Sequence, residues 1–507
     1  MRTKLLLLAV ATARLCLAED LVLENDFASF VFSEANGFAL SSVTDRRTGT
    51  VFRFDLTKDS SLWAMTPMRP EHNTLAKRQS APSPTGHALK GNSATFTWPD
   101  ATLTVTLPPA SGIAEWRFSW HGDGAWPYSF EFPYVRVTKV GEADRLYYPQ
   151  RLGKVLEDPV GREFSVIPIS PNWWSAQYAV YSASPTAPRT RSADPKRTVI
   201  DGSIRGPRAD ESSLYLSPDD PAYWRKCIVL SGKRGSSSFP FGIEHFPPWA
   251  KRPERPGDAK GAFDWTCPYV VRFGVVRGGV DAAVTTYREQ TKKEYASARK
   301  TSRFLLQRPA WRSNHVTPAE MAGLARSIRD YYRVPAVLHH YEATLERFNW
   351  HFPEFRSYRE GFREENEYLR SIDCRAMPYG NVVRFDRTLS TYPKVNGDTV
   401  AIRDINGAMR GDPFKGVPDT LAAWGDRTWT EYHRRMVREL FAKVGVGGYY
   451  MDEGCGSARL DYDPAHGGIH GGTYVSDGFR RFSHVLREEA GSPIPKGSSS
   501  PRDSANT

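Results

Sequence analysis

The 507-residue sequence lacks the motifs that identify several common enzyme classes. No Gly-X-Ser-X-Gly nucleophile motif is present, which argues against a serine hydrolase of the α/β type. No phosphate-binding Walker loop and no dinucleotide-binding glycine fingerprint stands out either. We therefore predict a protein that works without a cofactor.

Cysteine is scarce, with five residues in the whole chain. Outside the N-terminal segment the cysteines are Cys227, Cys267, Cys374 and Cys455, and their spacing matches no metal site. Four cysteines in an exported protein allow three pairings, and the sequence does not choose among them. Because Cys227 and Cys267 fall in one predicted domain, they form the predicted bridge. Asn-X-Ser/Thr acceptors for N-glycosylation are absent as well.

Basic residues outnumber acidic residues by 68 to 57, which gives a formal net charge of +11. The lysines and arginines are scattered among acidic residues and join no nucleic-acid-binding motif, so nucleic acid is not an expected partner. A weakly cationic protein of this kind suits contact with acidic polysaccharides or cell surfaces. Beyond the N-terminus, no apolar run is long enough to cross a bilayer, so no membrane span is predicted.

The N-terminus has the pattern of a cleaved export signal. Arg2 and Lys4 precede the apolar residues 5–13, and Cys16 and Ala18 place small side chains where a signal peptidase cleaves. The apolar segment is too short for a transmembrane helix. We therefore predict a signal peptide at residues 1–18 and a secreted mature protein.

Residues 19–300 have the pattern of antiparallel β-structure. Apolar residues alternate in short runs, for example at Trp116, Phe118 and Trp120, and turn residues separate the runs. Asn36-Gly37 predicts a tight turn in the opening hairpin, because these residues accept a positive φ. Many short strands with regular turns predict a large β-sandwich.

Two irregular stretches interrupt this region, at residues 183–211 and 232–262. The first is rich in Ser, Pro and Arg, and the second in Gly, Ser, Pro and Lys. Apolar strands resume after each of them. We therefore predict both to be surface loops or insertions.

The apolar period changes after residue 300. A capping box at residues 317–320 predicts a helix with an apolar stripe at Met321, Leu324, Ile328 and Tyr331. A second capping box at residues 428–431 predicts another helix. Helices that alternate with short apolar strands predict parallel βα units, and the pattern provides about three or four of them before residue 490.

The predicted fold class is thus multidomain β plus α/β. A β-sandwich at residues 19–300 precedes a (β/α)8 TIM barrel at residues 301–490, which is predicted to be truncated after about four βα units. Residues 491–507 are Ser-rich and have no apolar period, so they are predicted to form a disordered tail.

Residues 445–454 predict a short buried strand that ends in Asp452 and Glu453. In a (β/α) barrel, catalytic side chains collect at the carboxyl ends of the strands. A carboxylate there can attack or stabilise the anomeric carbon of a sugar. Acidic residues at such a position also cap helices or form salt bridges, so the residues alone leave both interpretations open.

Short stretches spread over residues 20–488 resemble one family. They are Leu23-Glu24-Asn25, Asp45-Arg46-Arg47-Thr48-Gly49, Ser213-Leu214-Tyr215-Leu216-Ser217-Pro218-Asp219-Asp220, Arg277-Gly278, Pro378-Tyr379-Gly380-Asn381, Tyr450-Met451-Asp452-Glu453 and Tyr462-Asp463-Pro464-Ala465-His466-Gly467. Taken in order, they are similar to the secreted glycoside-hydrolase-like family named domain of unknown function 6259. That family joins a galactose-mutarotase-like β-sandwich to a TIM barrel.

The resemblance implies a glycosidase-type active site in which Asp452 is the nucleophile of a retaining mechanism. Such a mechanism needs a second carboxyl group about 5–5.5 Å away as the acid. Glu342, Asp386 and Asp404 are the candidates, and the expected truncation also allows the partner to be absent. Glu453 is expected to point the other way and to have a structural role.

Further candidates for sugar contacts follow the predicted strands. They are His339, His340, Tyr341, Glu342, Asn381 and Trp350. The histidines, Tyr341 and Asn381 can hydrogen-bond sugar hydroxyls and Trp350 can stack on a sugar ring, with packing as the alternative for each. Asp461, Asp463 and His466 occur in a Gly-rich loop, but the six-ligand calcium pattern is missing and no metal is predicted.

The sequence therefore predicts a secreted glycoside hydrolase that cleaves a polysaccharide or glycoconjugate. A carbohydrate substrate is the one predicted partner, and the oligomeric state is not predicted. The alternative is a non-catalytic carbohydrate-binding protein with a degenerate or truncated barrel.

Overall fold

A computed structural model describes residues 19–57, 59–69, 74–122, 126–148, 154–165, 178–183, 211–220, 224, 226–247, 263–295, 305–307, 318–333, 336–340, 351–355, 358, 360–404, 407–411, 416–453, 460–461, 463–466, 473–474 and 476–491. The predicted signal peptide at residues 1–18 lies outside the described residues, as does the predicted tail except for Gly491.

The strands of the described chain are β1 (Leu21–Glu24), β2 (Ala28–Ser33), β3 (Ala39–Asp45), β4 (Thr50–Arg53), β5 (Ala64–Arg69), β6 (Thr74–Leu75), β7 (Gln79–Ser80), β8 (Gly86–Lys90), β9 (Ser93–Thr97), β10 (Ala101–Thr106), β11 (Ile113–Gly122), β12 (Trp126–Thr138), β13 (Arg145–Tyr148), β14 (Lys154–Glu157), β15 (Phe164–Ser165), β16 (Ala179–Ala183), β17 (Ser212–Asp219), β18 (Lys226–Gly232), β19 (Ser238–His245), β20 (Phe263–Thr266), β21 (Val270–Arg277), β22 (Leu305–Gln307), β23 (Ala336–His340), β24 (Arg375–Asn381), β25 (Arg384–Asp386), β26 (Asp419–Leu421), β27 (Tyr450–Asp452), β28 (Leu460–Asp461) and β29 (Thr473–Tyr474). The α-helices are α1 (Gly279–Tyr295), α2 (Pro318–Tyr332), α3 (Phe362–Ser371), α4 (Thr391–Lys394), α5 (Arg427–Glu439) and α6 (Ser476–Gly491).

Three antiparallel sheets occupy the part of the chain for which the sequence predicts a sandwich. Strands β1 to β4 form one sheet in chain order. A ten-stranded sheet has the order β14-β13-β16-β17-β21-β11-β10-β9-β8, with β20 also paired to β11. A seven-stranded sheet has the order β15-β18-β19-β12-β5-β6, with β7 also paired to β5. The boundary predicted near residue 300 stays a prediction.

One aromatic core joins these three sheets. The ring of Phe118 on β11 lies 5.1 Å from that of Phe130 and 4.9 Å from that of Phe132, both on β12. Phe32 of β2 lies 5.2 Å from Phe96 of β9. Each buried aromatic side chain removes roughly 150–250 Å² from water, so these contacts supply much of the driving force for packing the sheets together.

The prediction of a surface loop over residues 232–262 is wrong at residues 238–245, which form β19. This strand runs between β18 and β12, and its Phe239, Phe241 and Ile243 are at most 1% exposed. Their alternation was obscured by the neighbouring Ser, Pro and Gly residues. Gly242 is required here, because a Cβ atom at this position would lie 2.5 Å from the Pro133 carbonyl oxygen. Residues 184–210 lie outside the described residues.

The predicted bridge between Cys227 and Cys267 is also wrong, because both residues are buried thiols. Cys227 packs beside Phe246 in a small cluster, whereas Cys267 belongs to the main aromatic core. The two sulfur atoms therefore lie in separate apolar surroundings. Burial raises the pKa of Cys267 to about 12, which keeps this thiol protonated. Cys455 lies outside the described residues.

The opening hairpin and the helix starts differ in detail from their predictions. A 3-10 turn at Glu34–Asn36 precedes Gly37, so the connection is longer than a two-residue turn, although Gly37 has the expected positive φ of 63°. The second capping box was predicted at residues 428–431, whereas α5 begins at Arg427 with Asp426 as its N-cap. The Asp426 side chain accepts a hydrogen bond from the Trp429 amide. On α2, Leu324 and Tyr331 are 42% and 80% exposed. The apolar stripe predicted for α2 is therefore wrong at these two positions.

The second part of the described chain contains four parallel strands in the order β22-β23-β24-β27. Helices separate the strands along the chain, as expected for βα units, and α2 and α3 pack together. Truncation of a (β/α)8 barrel stays a prediction. None of the described helices is long and apolar enough to cross a membrane.

A long excursion, residues 382–426, connects β24 to α5 beside the parallel sheet. Its apolar side chains belong to a separate core cluster that includes Phe385, Leu421 and Trp424. The Val382 carbonyl accepts hydrogen bonds from the indole nitrogens of both Trp424, at 3.0 Å, and Trp429, at 3.1 Å. These bonds anchor the excursion at the point where β24 ends.

A buried ion pair lies in the antiparallel part. The Lys226 ammonium donates to the Asp220 carboxylate and to the Trp224 carbonyl, and both charged side chains are 1% exposed. The Lys226 nitrogen also lies 5.0 Å from the centre of the Tyr269 ring. In such surroundings a charge is tolerated only while its partner is present.

Lys226→Met is expected to lower the free energy of unfolding by about 3–5 kcal/mol, because it leaves the Asp220 carboxylate buried without its cation. Lys226→Met combined with Asp220→Leu is expected to cost less than the single change, since neither charge then remains. Urea denaturation measures both values. Lys292→Met, which breaks an exposed pair with Glu289 on α1, is the control and should have little effect. A double variant less stable than the single variant would contradict this account.

Candidate active site at the carboxyl end of the parallel sheet

The register of the parallel strands brings several candidate residues to one edge of the sheet. Asn381, the last residue of β24, is paired with Asp452, the last residue of β27. His340, the last residue of β23, is paired with Pro378 of β24. Because all three strands run in the same direction, their carboxyl ends form a common edge.

One face of this edge carries aromatic side chains beside Asp452. The rings of His339 and Tyr450 are stacked with centroids 3.9 Å apart. The ring of Tyr379 lies 6.1 Å from Tyr450 and is nearly parallel to it. Side chains alternate along a strand, so Tyr450 and Asp452 share this face, as do Tyr379 and Asn381.

The Asp452 carboxylate is held by one of these rings. The Tyr379 hydroxyl donates a hydrogen bond of 2.8 Å to Asp452 Oδ2. Burial, together with the negative charge of Asp452 and this hydrogen bond, raises the pKa of Tyr379, so the hydroxyl stays protonated and donates. Asp452 itself is half-buried. A carboxylate that is partly accessible and has one oxygen held in a fixed direction is suited to act as a general base or as a nucleophile.

Glu453 is tied to the neighbouring strand and loop. Its Oε1 accepts from Asn381 Nδ2 at 3.3 Å and from Arg384 Nε at 3.3 Å. The same arginine donates to Asp419 Oδ2 at 2.6 Å. These contacts hold the Glu453 side chain in place, and the structural role expected of it stays a prediction.

Asn381 is completely buried, and its side chain serves the turn after β24. Asn381 Oδ1 accepts from the amides of Val383 at 3.0 Å and Arg384 at 3.1 Å. Its amide nitrogen donates to Glu453. The structure thus gives Asn381 a role in holding the turn, and its predicted contact with sugar stays a prediction.

His340 does not share the face of Asp452. It lies against α3, with its ring 5.2 Å from Phe362 and its Nε2 3.9 Å from Glu365 Oε2. Burial raises the pKa of Glu365 to about 8. The structure therefore separates the two histidines that the sequence grouped: His339 stacks beside Asp452, whereas His340 faces a helix.

Three of the remaining predicted residues, Tyr341, Glu342 and Trp350, lie outside the described residues. Asp386 is buried and accepts from the His351 amide at 2.9 Å and from the Thr388 amide at 2.8 Å.

Asp404, the third candidate for the acid, accepts from the amide of Ala408 at 3.0 Å. Asp386 and Asp404 thus both hold turns of the excursion. Glu342, the other candidate for the acid, lies outside the described residues.

In the Gly-rich loop that contains Asp461, Asp463 and His466, a buried pair forms between His466 and Asp461. His466 Nδ1 lies 2.5 Å from Asp461 Oδ2, and His466 Nε2 lies 2.6 Å from the Thr399 carbonyl. Burial opposes a charge on His466, but these two hydrogen bonds and the charge of Asp461 raise its pKa to about 9. Within the described residues, no group of three or more His, Cys, Asp or Glu side chains could hold a metal ion.

Sequence reasoning gave no role to Tyr379, Tyr450 or Arg384. Tyr379 precedes Asn381 by two positions on the same strand, so strand alternation could have placed it beside Asp452. Tyr450 has the same relation to Asp452. No local signal identifies Arg384, because its partners Asp419 and Glu453 are distant in sequence.

His466→Gln is expected to remove a stabilisation that depends on pH. The folded-state pKa of about 9 lies above the ordinary value of 6.5, so the stabilisation is fully present below pH 6.5 and is lost as the pH rises through about 9. Its size below pH 6.5 is on the order of 3 kcal/mol.

Chemical denaturation at pH 6 and pH 9.5 measures this effect. The difference in unfolding free energy between the wild type and His466→Gln should be large at pH 6 and small at pH 9.5. His484→Gln, on the exposed side of α6, is the matched control. A difference that does not change with pH would refute the charged pair.

Comparison with known proteins places this geometry in context. The family model for the Domain of unknown function (DUF6259) matches residues 265–497. The chain is 24% identical over 203 residues to a protein of Bacteroides thetaiotaomicron named "Putative glycoside hydrolase". That match covers 39% of this chain and 30% of the relative's length.

In three dimensions the chain is similar to the α-N-acetylgalactosaminidase NagBb from Bifidobacterium bifidum. The complex of NagBb with GalNAc has a TM-score of 0.63 at 12% identity, covering 92% of this chain and 74% of NagBb. The ligand-free form has a TM-score of 0.61 at 13% identity, covering 92% and 76%. The chain therefore resembles a glycoside hydrolase in fold over most of its length, and its sequence is distantly similar to a protein of that name.

Proposed function

We propose that this protein is a glycoside hydrolase in which Asp452 is the catalytic carboxylate. The observation that carries the proposal is the position of Asp452. It ends a parallel strand, remains half-buried, and has one carboxylate oxygen held by the Tyr379 hydroxyl at 2.8 Å. Catalytic side chains of (β/α) barrels collect at such strand ends. The distant sequence similarity supports the same class of reaction.

Asp452 is proposed to act as a nucleophile in a retaining mechanism. The Tyr379 bond engages Oδ2, and Oδ1 is the oxygen that attacks the anomeric carbon in this proposal. The glycosidic C–O bond breaks in the same step, and the leaving oxygen takes its proton from the second carboxyl group. A short side chain at the end of a paired strand has little freedom, which favours attack along a defined direction. The covalent intermediate is then hydrolysed by water with help from the second carboxyl group.

The aromatic face beside Asp452 is proposed to receive the sugar ring. Tyr450 is half-buried and is stacked on His339, so the pair forms a layered wall next to the carboxylate. Flat aromatic walls with a few polar groups are typical of small-molecule sites. Glu342 is the remaining candidate for the acid, because Asp386 and Asp404 hold turns.

The substrate is proposed to be a polysaccharide or glycoconjugate. NagBb, which shares the fold, is named as an α-N-acetylgalactosaminidase, so α-N-acetylgalactosaminides belong in the first substrate panel. Export through the predicted signal at residues 1–18 is part of this proposal. It would bring the enzyme into contact with extracellular glycans.

Asp452→Asn is expected to reduce turnover of aryl glycosides by roughly three orders of magnitude or more, because the amide cannot act as the nucleophile. Release of the aryl group from a panel of α- and β-glycosides measures the rate. Asp373→Asn, the same change just before the opposite end of β24, is the matched control and should retain activity. Unchanged thermal unfolding shows that both variants are folded.

Two outcomes would change the proposal. Full turnover by Asp452→Asn would remove this residue from catalysis. Glycan binding by the wild type without any turnover would instead favour a carbohydrate-binding protein.

Tyr379→Phe is expected to lower kcat on the order of tenfold, since it removes one hydrogen bond to a charged group while keeping the aromatic ring. The same assay measures it. Tyr392→Phe removes a comparable hydroxyl-to-carboxylate bond, to Asp398 at 2.8 Å, and is the control. Equal rates for Tyr379→Phe and the wild type would show that this bond does not orient Asp452 for the reaction.

A further inference from the structure

Glu453 has an unusual backbone conformation directly after Asp452. Its φ is +59°, in the left-handed region that residues other than glycine rarely adopt. Such conformations persist where surrounding contacts hold them, and they concentrate at functional sites. The contacts of Glu453 therefore bear on the geometry of its neighbour.

Three donor groups from two residues hold the Glu453 side chain. Asn381 Nδ2 lies 3.3 Å from Oε1, and the Nε and Nη2 atoms of Arg384 lie 3.3 and 3.4 Å from the same oxygen. The side chains of Arg384 and Glu453 are 6% and 14% exposed, so water screens the pair weakly. Asp419 on β26 binds the other side of Arg384 at 2.6 Å and orients it.

The same strand, β24, therefore holds both residues at the end of β27. Tyr379 donates to the carboxylate of Asp452, and Asn381 donates to the carboxylate of Glu453. The amide of Val382 adds a longer bond of 3.4 Å to the Asp452 carbonyl. The side chain and the backbone of Asp452 are thus held from one neighbouring segment.

We propose that Glu453 is a positioning residue that sets the direction of the Asp452 carboxylate through the peptide bond they share. The proposal rests on the proposed function of Asp452. Arg384 and Asn381 keep Glu453 in the left-handed conformation, and this turn fixes the peptide plane that follows Asp452. Release of Glu453 lets that plane rotate and moves the carboxylate away from the Tyr379 hydroxyl.

Glu453→Gly separates this role from a purely structural one. Glycine adopts a positive φ without a steric penalty, so the variant keeps the turn accessible while losing the carboxylate that is anchored by Arg384. We expect kcat to fall on the order of tenfold to a hundredfold with KM nearly unchanged, because a displaced nucleophile affects the transition state more than substrate binding. Glu453→Gln, which retains the length of the side chain, is expected to recover part of kcat.

Glu489→Gln is the matched control. Glu489 on α6 is held by Arg434 at 2.8 Å and by Arg438 at 2.5 Å on α5, so it is also a carboxylate bound by guanidinium groups. Its loss should change stability without changing kcat. A comparable fall of kcat in Glu489→Gln would show that any weakened ion pair lowers activity, and the positioning role would be rejected.

Crystal structures of the wild type and Glu453→Gly provide a readout that does not depend on activity. The bond between Tyr379 Oη and Asp452 Oδ2, 2.8 Å here, is expected to lengthen beyond hydrogen-bonding distance in the variant. An unchanged Asp452 carboxylate would overturn the proposal, even if no glycoside is cleaved by the wild type. If Asp452→Asn abolishes turnover but Glu453→Gly keeps the full kcat, the positioning role fails and the proposed function stands.

Discussion

The parallel pairing of β24 with β27 is the constraint on which the candidate site depends. Its register places Asn381 beside Asp452, so the residues that follow the two strands also lie close together. Tyr379 and Asn381 come from β24 and Arg384 begins β25 shortly after it, and each binds Asp452 or Glu453. A shift of one residue in this pairing would turn the Tyr379 hydroxyl to the other face and separate it from the carboxylate.

Three buried ion pairs in the described part of the chain hold charged side chains against specific partners. Lys226 with Asp220, Arg384 with Asp419, and His466 with Asp461 each combine opposite charges in nearly complete burial. Such pairs add little net stability compared with apolar residues, but breaking one is costly. They therefore restrict which arrangements of the sheets and loops are possible. Two of the three, those of Arg384 and His466, lie in the part of the chain that carries the candidate site.

The likeness to known structures concerns the fold, whereas the chemistry depends on individual side chains. Asp452 and its aromatic neighbours are held by the parallel sheet, and the excursion over residues 382–426 supplies Arg384 and Asp419 behind them. The indole bonds of Trp424 and Trp429 to the Val382 carbonyl fasten this excursion to the end of β24. The aromatic core of the antiparallel part is separate from the core cluster that includes Phe385 and Leu421.

Local patterns in the sequence determined where many strands run and that a short strand ends at Asp452, since alternation and turn residues act over a few positions. Only the tertiary structure decided that His339 stacks on Tyr450 while His340 faces α3, that Asn381 serves a turn, and that Tyr379 binds Asp452. It also decided that Cys227 and Cys267 lie in different clusters. These outcomes depend on strand register and on contacts between residues far apart in the chain, and the local sequence contains no signal for either.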